Sequence, residues 1–285
     1  MTRLHIVHTT SFIYDRPAAA SYNEARMRPA TLPGQMVLSS RLSASPSTWS
    51  TEYRDYWGTQ VTAFEVLRTH SELVVTSEST VDLQPRPDPG ATGVAERVEW
   101  STLTEPSIAD RLAEFLANTE ATAPSDELAA LALECGGGRS PVEAALAVCE
   151  AVRSAVEYVP GVTGVHTRAA EAWAQRSGVC QDIAHLVLGA LRSLGIPARY
   201  VSGYLHPLGH EAVAGETFLG ESHAWIEFWC GEWYPWDPTN RCAVSDHHVV
   251  VARGREYNDV TPLRGVFAGG GQSQQSVQVA LTLEA

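Results

Sequence analysis

The stretch Ser177-Gly-Val-Cys-Gln-Asp-Ile-Ala-His-Leu-Val-Leu-Gly-Ala-Leu-Arg-Ser-Leu-Gly-Ile-Pro197 decides the fold class of this 285-residue chain. Ile183, Leu186, Val187, Ala190, Leu191 and Leu194 recur at steps of three and four, so one face of a helix beginning near Cys180 is buried. Gly195 and Pro197 end that helix. Beyond it the pattern turns to strands, over Ala198 to Leu205, Ser222 to Trp229 and Trp233 to Trp236. Before it the spacing predicts helices over Ser107 to Asn118, from the Ser140-Pro-Val-Glu143 capping box to about Tyr158, and over Ala169 to Gln175. Helices followed by strands give an α+β domain, helices packed on an antiparallel sheet.

Further toward the N-terminus the reading is all β. Leu4 to Tyr14, Gln35 to Ser45, Val61 to Leu67 and Glu72 to Leu83 are rich in β-branched and apolar residues and separated by turn signals. Gln84 to Gly93 holds three prolines and two glycines, a linker composition. The predicted division is a β-rich domain over 1–90 and an α+β domain over 91–285, with Ser276 to Leu283 as a last strand. Gly269-Gly-Gly271 before it lacks the Lys-Ser/Thr of a phosphate loop.

A formal charge of -13 argues against nucleic acid and against an anionic membrane surface as partners. The N-terminus has no secretory pattern and no apolar run is long enough to span a bilayer, so the expected location is the cytoplasm. Five cysteines without a CxxC support neither a disulfide framework nor a structural zinc site.

Among the five, Cys180 stands apart. It sits at the start of an amphipathic helix, where free N–H groups and the helix dipole favour a thiolate. Its own N–H is a natural oxyanion donor, and the small Gly178 is expected to let a substrate backbone approach the sulfur. A thiolate needs a histidine, and the histidine an orienting group. His223 begins one strand and Asp237 ends the next. With a three-residue turn, Cys230 to Glu232, Trp225 faces Asp237 and His223 is its same-face diagonal neighbour. A two-residue turn would part them.

Other residues invite both a structural and a functional reading. Asp182 is read as dipole complementarity, His185 as a packed histidine, and the His247-His248 pair as structural because adjacent strand residues point apart. The substrate-binding candidates are Trp173, Gln181, Tyr204 and Trp225. Neither a metal nor a cofactor is called for.

Gly178 to Leu186, Leu191 to Tyr204, Ser222-His-Ala-Trp225 and Trp236-Asp-Pro-Thr-Asn240 together resemble the transglutaminase-like superfamily of cysteine enzymes. Asp246 to Gly265 resembles its bacterial members, as does the β-rich N-terminal region. The resemblance implies a papain-like core and a catalytic triad of Cys180, His223 and Asp237 acting on an amide or ester through a thioester. The expected function is therefore a cysteine-dependent peptidase or amidase whose partner is a peptide or protein with an amide or glutamine-like group. Acyl transfer to an amine and a non-catalytic binding module are the alternatives. The β domains of animal transglutaminases are missing from the pattern, so their calcium-gated crosslinking is not implied.

Overall fold

The computed structural model describes residues 1–86, 89–207, 214–269 and 271–284. Residues 87 and 88 of the expected linker and Gly270 of the glycine run lie outside them.

The site rests on a five-stranded antiparallel sheet. Its order is Cys242–Ala243, Trp233–Asp237, His223–Trp229, Ala198–Leu205 and His248–Gly254. The helix Cys180–Ser193 lies across this sheet and buries nearly every residue from Gln181 to Arg192. Helices Asp126–Gly136, Pro141–Ala155 and Ala169–Gln175 pack around it. The apolar stripe read from the sequence is thus sandwiched on both sides: Ile183, Leu186, Val187 and Leu191 share one core with Ile226 and Phe228 of the sheet.

The N-terminal region forms two further antiparallel sheets. One runs Thr217–Gly220, Ser273–Glu284, Thr2–Ala18, His70–Leu83, Gln35–Ser45; the other runs Leu263–Ala268, Ala20–Ala25, Gln60–Val66, Trp49–Arg54. Tyr14, Phe64, Val66, Leu73 and Val75 fill a small core of their own. The first of these sheets also sends Leu4, Ile6, Val81, Val279 and Leu281 into the large core with the helices.

The strand pairings cross the expected division at residue 90. The chain's last two strands pair with its first two: Leu263–Ala268 with Ala20–Ala25, and Ser273–Glu284 with Thr2–Ala18. The alternation of the last strand marks it as a strand but carries no information about its neighbour, which closes a loop of more than two hundred residues. Strands Ala20–Ala25 and Trp49–Arg54 and helix Asp126–Gly136 escaped the sequence reading. The helix expected over Ser107 to Asn118 is broken at Leu112, whose φ of -110° and ψ of 13° leave the helical region. The helix opened at Ser140 stops at Ala155 instead of Tyr158, because Glu157–Tyr158 pairs in parallel with Ser177–Gly178 just ahead of Cys180. Among the described residues no helix is long and apolar enough to cross a membrane.

Two buried side chains tie the N-terminal sheets to the site's sheet. The Gln35 amide accepts from Val250 N–H and donates to Val250 C=O, both at 2.8 Å, where the His248–Gly254 strand shifts register. The Tyr204 hydroxyl donates to Met27 C=O at 2.8 Å and accepts from His8 Nδ1 at 2.9 Å.

Gln35→Ala strands the buried Val250 N–H, leaves Val250 C=O with Ala30 N–H alone at 3.0 Å, and is expected to cost about 2 kcal/mol of stability. Urea unfolding checks this; a loss under about 0.5 kcal/mol contradicts the role given to the amide.

Candidate active site

Cys180 is the first residue of its helix and is half-buried, with its sulfur on the wall of a cleft. The first N–H groups of a helix have no intrahelical acceptor, so that of Cys180 is free for an oxyanion. Asp182 secures the turn: its Oδ2 accepts from Val179 N–H at 2.8 Å and from Thr163 Oγ1 at 2.6 Å. This changes the reason for Gly178. A Cβ there would lie 2.7 Å from Asp182 Cβ and 2.8 Å from its Oδ2. The glycine makes room for the buried Asp182, not for a substrate backbone.

His223 and Asp237 are brought together by the turn between their strands. Trp229 pairs with Trp233 and Ile226 with Trp236, so the loop holds the three residues Cys230 to Glu232, with Gly231 at a φ of 82°. His223 Nε2 donates to Asp237 Oδ2 at 2.7 Å. The other ring nitrogen, Nδ1, is left for Cys180, which lines the same cleft and adds to the pull that keeps His223 charged. Trp225, fully buried, stacks behind the imidazole at 6.0 Å between centroids and 29° between planes. Gly203 on the neighbouring strand permits this, since a Cβ there would come within 2.6 Å of the Trp225 ring.

Asp237 is completely buried and accepts three further hydrogen bonds. Asn240 donates its Nδ2 to Oδ2 at 2.7 Å and its backbone N–H to Oδ1 at 3.1 Å. His248 reaches Oδ2 from the opposite side at 3.2 Å. Because His248 Nδ1 accepts from Ser245 N–H at 3.2 Å, the ring is the Nε2–H tautomer and donates to the carboxylate. Sequence reasoning missed His248: the His247-His248 pair was read as structural, and only the sheet order shows which of the two faces Asp237. Asn240 was visible in Trp236-Asp-Pro-Thr-Asn240 without an assigned role.

These bonds set the charges. Burial disfavours a charged His223, but the Asp237 carboxylate first, and Cys180 after it, outweigh that and hold the pKa at about 10. Burial would also raise Asp237, yet its donors, His223 first, hold it far below the usual carboxylate range. Burial keeps His248 neutral against the pull of Asp237. The other four cysteines are pushed upward mainly by burial, Cys230 to about 12 and Cys242 to about 11. His223, Asp237 and His248 offer ligand atoms within 4.8 Å of one another, a spacing a metal could use. The 2.7 Å and 3.2 Å contacts, with donors assigned on both sides, make the trio a hydrogen-bonded chain.

The cleft has a volume of about 950 Å³. Cys180, Gln181, His223, Tyr200 and Tyr257 line one side, and Phe218 and Val277 of the N-terminal region's first sheet stand on the other. Of the substrate-binding candidates, Gln181 is on this wall, with its Nε2 donating to Val165 C=O at 3.1 Å. The other three do not line it. Trp173 is buried away from it, bonded to Glu127 at 2.9 Å and covered by Arg176. Tyr204 is turned toward His8 and Met27, and Trp225 lies beneath His223. All three are large aromatics close to the site in sequence, and each is drawn into packing by its apolar area.

The His223–Asp237 pair contributes its full stabilisation between pH 3.8 and 6.5, the ordinary values for the two groups. His223 is raised, so its share fades as pH rises from 6.5 toward about 10. Asp237 is depressed, so its share is lost as pH falls below 3.8. The stability difference between wild type and His223→Gln is therefore expected to shrink steadily across that alkaline interval in urea titrations. A difference that stays constant there contradicts the charged pair.

Residues 129–238 match the sequence model of the transglutaminase-like superfamily, and residues 4–82 that of the bacterial transglutaminase-like N-terminal region. An uncharacterized protein of Mycobacterium leprae is 43% identical over 282 residues, covering 99% of each chain. A protein-glutamine gamma-glutamyltransferase of Pseudomonas aeruginosa is 39% identical over 74 residues, 24% of this chain and 11% of that one. A crystal structure from Cytophaga hutchinsonii, of a candidate cysteine protease, superposes with a TM-score of 0.77 at 21% identity over 99% of this chain and 98% of that one. Fold, motif order and these relatives agree: the chain belongs to the transglutaminase-like superfamily, with the bacterial N-terminal region attached.

Proposed function

We propose that the protein is a cysteine-dependent amide hydrolase acting on peptides or proteins through an acyl-enzyme on Cys180. The observation that carries this reading is the 2.7 Å His223–Asp237 bond beside Cys180, with Cys180 and His223 lining one cleft of about 950 Å³. A superfamily of cysteine enzymes supplies the context.

In the first half-reaction the Cys180 thiolate attacks the amide carbonyl carbon, and the carbonyl π electrons move to oxygen. The helix N-terminus, with the Cys180 N–H in front, receives the oxyanion. As the tetrahedral adduct collapses, the C–N bond breaks and His223 passes its proton to the leaving amine. The product is a thioester on Cys180 and a free amine. In the second half-reaction water attacks the thioester, gives a proton to His223 and releases the acid, regenerating the thiolate–imidazolium pair. Asp237 stays ionised throughout and keeps the imidazole aimed. An amine arriving in place of water would complete an acyl transfer, the reaction named for the Pseudomonas aeruginosa relative.

The cleft also suggests what it holds. Tyr158, Val165, Phe218 and Val277, each between about a third and a half exposed, surround the sulfur with apolar surface. Side chains flanking the cleaved amide are accordingly expected to be apolar.

The test is intact mass after brief iodoacetamide treatment at neutral pH, followed by turnover of peptide amides. A single adduct, lost in Cys180→Ala and slowed in His223→Ala, is expected. Turnover should fall about 100-fold or more in His223→Ala. Adducts spread over several cysteines, unchanged in His223→Ala, would leave only a non-catalytic binding module.

A further inference from the structure

Strand Thr217–Gly220 is the outermost of its sheet, paired on one side with Ser273–Glu284. Among the described residues no strand pairs with its other side. The phase of its backbone is set at Leu283, whose N–H donates to Glu216 C=O at 3.4 Å and whose C=O accepts from Gly215 N–H at 2.8 Å, so Gly215 and Glu216 together oppose Leu283. In an antiparallel ladder alternate residues turn their N–H and C=O to the partner. Phe218 and Gly220, opposite Leu281 and Val279, thus face the partner, and Thr217 and Leu219 turn theirs outward. The Thr217 and Thr282 hydroxyls meet at 2.8 Å, as side chains do in the closer, non-hydrogen-bonded pairs.

The side chains alternate in the other direction. Phe218 and Gly220 lie on the sheet face that carries Val277 and Gln275, and all four line the cleft holding Cys180. The same face continues into the core through Val279 and Leu281. His223 follows Gly220 after only Glu221 and Ser222. The free edge and the nucleophile therefore belong to one cavity.

We propose that the outer edge of Thr217–Gly220 docks an extended peptide substrate as an added β-strand, sending every second side chain into the Cys180 cleft. This rests on the acyl-enzyme reading above and specifies its substrate class. Unstructured peptide segments bind through backbone hydrogen bonds to Thr217 and Leu219, and apolar side chains settle against Phe218 and Val277. Small amides, lacking a backbone to pair, react poorly.

Leu219→Pro tests the edge. It removes an outward N–H that the ladder with Ser273–Glu284 does not use, a position where proline is tolerated. The probe is an extended apolar peptide ending in a thiol-reactive electrophile, compared with iodoacetamide. Peptide labelling of Cys180 is expected to slow about tenfold in Leu219→Pro, the equivalent of one hydrogen bond, while iodoacetamide labelling stays unchanged. Independently of any variant, methylating alternate backbone nitrogens of the peptide should slow its reaction with the wild type, and methylating the intervening ones should not. Equal rates for all methylated peptides, or unchanged peptide labelling of a folded Leu219→Pro, overturn the proposal. If iodoacetamide fails to label Cys180 of the wild type selectively, the acyl-enzyme reading falls first and the docking edge with it.

Discussion

A single buried carboxylate organises this site. Asp237 is shut off from solvent, where an unpaired charge would be prohibitive, and its oxygens accept from His223, from His248 and twice from Asn240. The donors arrive from three directions: the paired strand, the far edge of the sheet and the turn that follows Asp237. Each fixes the carboxylate in one more dimension. What results is an imidazole held charged well past neutrality and turned with its free nitrogen toward a sulfur on a helix N-terminus. Truncating any of the donors leaves the others facing a less well-compensated charge, so the group behaves as a unit.

The fold serves that carboxylate by bringing sequence-distant elements onto one sheet. The helix Cys180–Ser193 supplies Cys180, adjacent strands supply His223 and Asp237, and the strand His248–Gly254 supplies the second histidine. Gln35 then fastens the register shift of that last strand to the N-terminal region. The N-terminal sheet is more than a neighbour, because its strands Thr217–Gly220 and Ser273–Glu284 form a wall of the cleft. Chain order conceals this: the wall is written before His223 and at the far end of the sequence, and only strand pairing reunites the pieces.

Much of the local structure was legible because it depends on local periodicity. The stripe from Ile183 to Leu194 defined the helix that begins at Cys180, and Gly231 between two tryptophan-rich runs defined the turn whose length aligns His223 with Asp237. What was not legible depends on partners. His248 needed the order of strands; the return of Ser273–Glu284 needed a pairing across nearly the whole chain. Trp173, Tyr204 and Trp225 were drawn toward the substrate by sequence proximity, but large aromatic area goes to packing unless a cavity claims it. Gly178 shows the same limit from the other side. Its need for small size was readable, and the neighbour imposing it, Asp182, was not.

The Asp237 carboxylate sets the charge and aim of His223. Nuclear magnetic resonance of the imidazole, selectively labelled with ¹⁵N and titrated in wild type and in Asp237→Asn, addresses this most directly. The wild-type ring is expected to stay protonated until about pH 10 and, in the variant, to deprotonate at a pH displaced toward the ordinary value of 6.5. A wild-type ring titrating near 6.5, or an identical titration in Asp237→Asn, would contradict it.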